Sequence, residues 1–189
     1  LTKSLVHPYV PRFPRHVSYD LVLFGSWRRK GVYVGEKQIA SPGSYPVAGF
    51  NFAPMYNLNY KLRFGVSLDG VYDGSANVYT EDALVEYDAG SGSSRRKFLV
   101  PGIQNQLALG LSGRAEYVMP FFTIGVGLGT NVLGRGNLRG LYQVFALKIN
   151  VTRSSFLHIG YNLQDFQTPN YLMLGLGFRF NNKYPKVRH

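Results

Sequence analysis

Alternation at every second residue constrains this chain more than any other feature. In 60–72, Tyr60, Leu62, Phe64, Val66 and Leu68 fall on one face, and Lys61, Arg63, Gly65, Ser67 and Asp69 on the other. A strand puts successive side chains on opposite sides of a sheet, whereas a helix repeats every 3.6 residues. Seven more segments show the same period, at 17–27, 45–55, 103–117, 121–131, 140–151, 156–165 and 171–180. Leu21 and Leu23 oppose Ser18, Asp20 and Ser26. Leu107, Leu109 and Leu111 oppose Gln104, Gln106, Ser112, Arg114 and Glu116. Leu172, Leu174, Leu176, Phe178 and Phe180 oppose Gly175, Gly177 and Arg179.

The second face decides the class. A soluble sandwich or lipocalin-type barrel turns its apolar face inward and shows water a face of Lys, Glu and Thr. Here the second face is rich in Gly, Ser and Gln. The chain holds 22 Gly, 15% aromatic residues and only 16% charged residues, against roughly 25% charged in typical soluble domains. Small and polar groups fit the narrow inside of an eight-stranded barrel, and the apolar faces then meet lipid. No apolar run reaches the ~18 residues that a membrane helix needs. Connection lengths give an independent sign. Those at 28–44, 73–100 and 132–139 alternate with tight turns near 57–59, 119–120 and 152–155, as the two ends of an outer-membrane barrel do. Aromatics fall where interfacial girdles belong, with Trp27, Tyr72, Phe166 and Tyr171 at one end and Tyr60, Tyr117, Phe121, Phe156, Phe178 and Phe180 at the other; the alternative is the simple preference of Tyr and Phe for strands.

The expected fold is therefore all-β, an eight-stranded antiparallel up-and-down transmembrane β-barrel over 17–180. Residues 1–16 form a periplasmic amino-terminal extension and 181–189 a periplasmic carboxy-terminal tail. Leu1 in place of Met leads to the expectation of a processed chain. The location is the outer membrane of a Gram-negative bacterium.

The chain carries 21 Lys+Arg against 10 Asp+Glu, a net charge of +11. Much of the excess lies in the long connections. Arg28, Arg29, Lys30 and Lys37 are in the first, Arg95, Arg96 and Lys97 in the second, and Arg135 and Arg139 in the third. These cations suit lipid phosphates, which they bind by charge-assisted hydrogen bonds; solvated loop charge or a protein contact accounts for them as well. Nucleic acid is not expected, because the strands lack a basic stripe interleaved with stacking aromatics. Parity points Asp20, Lys61, Arg63, Arg114, Glu116, Lys148 and Arg179 into the lumen as an ionic plug, since buried charges persist when paired. With no Cys, and His7, His16, His158 and His189 far apart in sequence, there is no metal motif and no expected cofactor. His158 is expected as a packed lumen residue.

The last two strands carry a resemblance. His158-Ile-Gly-Tyr161, Leu163-Gln-Asp-Phe166 and the run Pro169-Asn-Tyr-Leu-Met-Leu-Gly-Leu-Gly-Phe-Arg-Phe180 resemble the carboxy-terminal hairpin of the acyloxyacyl hydrolase, or lipid A 3-O-deacylase (PagL-type), family. The segments 111–132 and 69–76 look like Bacteroidetes members of it. The resemblance implies an eight-stranded outer-membrane barrel that removes an acyl chain from lipid A. It implies a His-x-Ser-Asn motif on the lipid-facing wall, with an acidic partner that orients the His. Aligned on Ile159-Gly-Tyr161, the His position falls on Asp165 and the Ser position on Gln167. Neither residue can act in that role. Asp165, Gln167 and Asn170 are left as markers of a lipid-headgroup groove, or of a turn, for which Pro-Asn is ordinary chemistry. The expectation is a non-catalytic structural or docking protein of the cell envelope that contacts lipopolysaccharide through its lipid A, with a periplasmic or outer-membrane protein as a further partner. An active deacylase with a rearranged site and a small channel or ligand-binding barrel are the alternatives.

Overall fold

A computed structural model describes residues 12–28, 31–34, 37–40, 44–77, 79–88, 93–99, 102–166 and 168–184, with 31–34, 37–40, 79–88, 93–99, 137, 168 and 169 described through the backbone alone. In chain order the strands are β1 (His16–Arg28), β2 (Gly31–Val34), β3 (Lys37–Ala40), β4 (Tyr45–Asn57), β5 (Leu62–Asp73), β6 (Tyr79–Asp88), β7 (Ser93–Leu99), β8 (Leu107–Val118), β9 (Phe122–Leu133), β10 (Leu141–Asn150), β11 (Ser155–Gln164) and β12 (Thr168–Phe180). Eight of them close a barrel in the order β1-β12-β11-β10-β9-β8-β5-β4. Every neighbouring pair is antiparallel. The alternating segments at 17–27, 45–55, 60–72, 121–131, 140–151, 156–165 and 171–180 each land on one of these strands. The segment at 103–117 starts late, because Ile103–Asn105 is a single 3-10 turn ahead of β8. Two connections expected as loops contain further hairpins, β2–β3 and β6–β7, each a separate two-stranded sheet.

The outward face is hydrocarbon-like throughout. Leu23 is 53% exposed, Val66 61% and Leu176 55%, and their outward neighbours follow suit. A belt of exposed Leu, Val, Ile and Phe around a whole molecule has no place in water. A closed barrel leaves no strand edge unpaired, so it spans a bilayer with every ladder group bonded.

The inside is filled. An apolar cluster of Val22, Phe24, Val47, Tyr142, Val144, Ala146, Phe156, Tyr171 and Met173 occupies the lumen between polar layers. Tyr171 and Phe156, expected in the girdles, point inward instead. Tyr171 stacks on Phe24, with ring centroids 6.2 Å apart. Phe156 is held against Gly177, where an added Cβ would stand 2.1 Å from its ring. The glycine face of β12 thus makes room for a phenyl ring from β11. Tyr142 uses Gly129 in the same way, since a Cβ there would meet its ring at 2.6 Å.

Both described chain ends fold onto the short-turn mouth. The Phe13 ring lies 4.8 Å from that of Tyr60 and 5.0 Å from that of Tyr184. The Lys183 amide donates to His16 Nε2 at 3.1 Å, and Asn181 Nδ2 donates to the Val17 carbonyl at 2.7 Å. Residues 13–16 and 181–184 therefore clasp the barrel rather than hang from it; residues 1–11 and 185–189 of the two expected extensions lie outside the described residues.

Candidate functional site

Five of the seven residues expected in the lumen plug meet in one buried network. Asp20 sits on β1, Arg63 on β5, Glu116 on β8, Lys148 on β10 and Arg179 on β12, all inward by parity at one level of the barrel. Arg63 reaches Asp20 at 2.8 Å and donates to Glu116 from Nε at 2.6 Å. Lys148 bridges Asp20 at 2.9 Å and Glu116 at 2.7 Å. Arg179 Nε donates to Asp20 at 2.9 Å. Three cations thus face two carboxylates. The surplus lies over the Phe156 ring, 5.0 Å from Lys148 Nζ and 5.2 Å from the Arg179 guanidinium, close enough for cation–π attraction.

The other two expected members are elsewhere. Lys61 is exposed in the turn before β5, because the strand starts two residues later than the alternation suggests. Arg114 belongs to a second layer nearer the long loops. There it pairs with Asp69 at 2.9 Å, and Asp69 also accepts from Ser67, from Ser112 and Tyr142 at 2.7 Å each, and from Asn51 at 2.7 Å. A third layer closes the mouth, where Arg28 pairs with Asp73 at 2.8 Å and donates to Asn170.

This third layer corrects two expectations. Arg28 is no free headgroup cation, since it completes an ion pair inside the barrel. Asn170 lies beside the register shift between β11 and β12, which turns its side chain inward. Its Nδ2 donates to Asn162 at 2.9 Å. Asp165 is the first of two turn residues with positive φ, +50° and then +60° at Phe166. Its carboxylate lies beside Gly140. Gln167 lies outside the described residues.

Arg135 and Arg139 are exposed on the rim, flanking the single 3-10 turn Gly136–Leu138. Arg135 donates weakly to Asn105 at 3.4 Å and Arg139 to the Gly134 carbonyl at 3.4 Å. Arg29 and Lys30 lie outside the described residues. Arg95, Arg96 and Lys97 are on β7, with Arg95 opposite Glu86 in register.

His158 is 2% exposed in the lumen, and neither ring nitrogen has a hydrogen-bond partner among the described residues. No Ser or Thr hydroxyl bonds a His among the described residues, and no group of three His, Asp or Glu could hold a metal. Sequence reasoning overlooked one polar residue on the wall. Gln143 of β10 pairs with Leu128 and Leu163 and shares the outward face of Leu141 and Phe145. Its parity was available in the sequence beside Phe145, Leu147 and Ile149.

The model of the acyloxyacyl hydrolase C-terminal domain matches residues 17–182, which is nearly the whole barrel. No curated protein matches. Among solved structures, the chain is similar to Ail, the attachment invasion locus protein of Yersinia pestis, in complex with the heparin analogue sucrose octasulfate. That likeness has 12% identity and a TM-score of 0.44, and covers 87% of this chain and 98% of Ail.

Proposed function

Because the chain belongs to the acyloxyacyl hydrolase family through its C-terminal domain, we propose that it is a non-catalytic member, an outer-membrane barrel that serves the Gram-negative envelope as a structural or docking element. The observation that carries this reading is the state of the family's catalytic hairpin. Acyl transfer by a Ser nucleophile needs a His within hydrogen-bond reach and a group that orients it. Here Asp165 occupies the expected His position in a turn, and Asn170 faces the lumen. His158, the one histidine on β11, is buried in the lumen.

In this reading the long-loop end faces outward, and Arg135 and Arg139, with Arg29, Lys30, Arg95, Arg96 and Lys97, hold lipid A phosphates of lipopolysaccharide. The clasped termini then face the periplasm, where a protein partner docks. The deciding experiment incubates purified lipid A with the folded protein in detergent and follows the acyl chains by mass spectrometry. Unchanged lipid A, from protein whose fold is verified by heat-modifiable gel migration, is the expected result. Loss of one hydroxyacyl chain overturns it in favour of a working esterase. Charge reversal at Arg135 and Arg139 should weaken lipopolysaccharide binding roughly five- to hundredfold in a flotation assay, about 1–3 kcal/mol for lost charge-assisted bonds, without changing gel migration.

A further inference from the structure

The short-turn mouth of the barrel carries one sign of charge. Residues 12–19, 57–62, 117–123, 150–156 and 180–184 build it, and they hold Arg12, Arg15, Lys61, Arg153 and Lys183 with no Asp or Glu. In the layer beneath, Asp20 and Glu116 are outnumbered by Arg63, Lys148 and Arg179. That layer adds one more unit of positive charge. A field of single sign at a recessed mouth draws in groups of the opposite sign.

Beside the clasp lies a cavity of about 490 Å³, which Tyr60 and Tyr184 also line. Lys61 enters it from the β4–β5 turn, Arg153 from the β10–β11 turn and Arg179 from the end of β12. Val118, Met119 and Pro120 at the β8–β9 turn give it an apolar wall. Lys61 and Arg153 are exposed, and neither has a carboxylate partner among the described residues. Arg153 is held in place on both sides. Its guanidinium donates to the Tyr184 carbonyl, and its own carbonyl accepts from Asn182 Nδ2 at 2.8 Å. Val118 and Asn150 follow Glu116 and Lys148 by two residues and so share their inward parity. The cavity is therefore a vestibule inside the wall, entered along the barrel axis from water.

We propose that this vestibule docks an acidic segment of a protein partner. Lys61 and Arg153 take an Asp or Glu carboxylate of the partner by charge-assisted hydrogen bonds, and an adjacent apolar side chain packs on Val118, Met119 and Pro120. A bilayer phospholipid would have to leave its leaflet to reach this space, and a small free anion would leave the apolar wall bare. A polypeptide offers both chemistries and enters from water. This docking rests on the periplasmic orientation and the protein partner of the function proposed above, and it names what that partner presents.

Fluorescence anisotropy of the full chain in zwitterionic detergent tests this with two labelled peptides, Leu-Glu-Leu-Asp-Leu-Glu and its neutral analogue Leu-Gln-Leu-Asn-Leu-Gln, both amidated at the carboxy terminus. The unsubstituted protein should hold the acidic peptide roughly tenfold better at low salt, and the gap should shrink as salt rises. Lys61→Gln with Arg153→Gln should weaken that binding roughly five- to hundredfold, with heat-modifiable migration unchanged. Met119→Asp should weaken it too, by placing a like charge on the apolar wall. Arg135→Gln with Arg139→Gln, at the opposite mouth, should leave it as it is. Equal binding of the two peptides would overturn the proposal, as would acidic-peptide binding that survives the Lys61 and Arg153 substitutions. So would displacement of the peptide by acetate at equal concentration, which would mark a small-anion site, or by soluble dihexanoyl phosphatidylglycerol, which would mark a headgroup site. The two readings fail separately: a barrel that deacylates lipid A and still binds the acidic peptide would sink only the function proposed above, and an inert barrel that ignores the peptide only this docking.

Discussion

Asp20 accepts from three cations, Arg63, Lys148 and Arg179, and no water competes for it at 1% exposure. Removing that carboxylate leaves Arg179 without its counter-charge and Arg63 and Lys148 sharing Glu116, and an uncompensated buried charge costs about 3–5 kcal/mol. Asp20→Asn should therefore lower the unfolding free energy of the detergent-folded barrel by that amount in a urea titration, whereas Arg135→Gln on the rim should not move it measurably. Tyr184 makes a different case. Its hydroxyl is buried without a hydrogen-bond partner among the described residues, and burial pushes the phenol above its ordinary value. A raised folded-state value means that the clasp's contribution is complete below the unfolded phenol value, about 10, and falls away as pH rises through the folded one. Tyr184→Phe should match the unsubstituted protein at pH 8 and exceed it in unfolding midpoint at pH 10.5. Parity on consecutive strands made Asp20, Arg63, Glu116, Lys148 and Arg179 legible as one cluster before any coordinates. It failed for Lys61, which lies just outside its strand, where the regular ladder stops. Gln143 was overlooked although its parity is regular; its outward position conflicts with its polarity, and only its burial under Phe166 resolves that conflict.

Strands whose two faces meet different media are readable because the register has to keep every apolar residue on the lipid side. All eight barrel strands meet that condition. The hairpins β2–β3 and β6–β7 do not. The first has strands of four residues, too short to show a period. The second has a register shift between Thr80 and Val85 that breaks one. Since β6 and β7 form their own sheet, replacing 79–99 by a short Gly-Ser linker should leave heat-modifiable migration and the unfolding midpoint unchanged. A barrel that no longer folds would show that the hairpin is part of the wall's stability. Within the barrel, the fit of Phe156 into the glycine face of β12 is tight. Gly177→Val should destabilise by about 1–3 kcal/mol through overpacking, and Phe156→Leu in the same chain should recover part of that loss, as unfolding midpoints of the three variants will show.

At the scale of the molecule, stacked layers close the lumen: the aromatic clasp, the Asp20 network, the apolar cluster, the Asp69 layer and the Arg28–Asp73 pair. A channel needs a continuous wet path, and eight strands leave little width for one. Planar bilayers holding the protein should show no unitary conductance steps; regular steps would mean that the layers part. The seam of the barrel, where β1 meets β12, carries one more consequence. Phe13 and Tyr184 are neighbours in space, with their rings 5.0 Å apart. The described part of the polypeptide, from 13 to 184, is thus one short bridge away from being a ring. Joining residue 13 to residue 184 by such a bridge and cutting the backbone at 134–140 would give a permuted chain with the same eight strand neighbours. Its last-formed joint would then lie between β9 and β10, so a folding phase set by the meeting of distant chain ends would move to a different place in the wall.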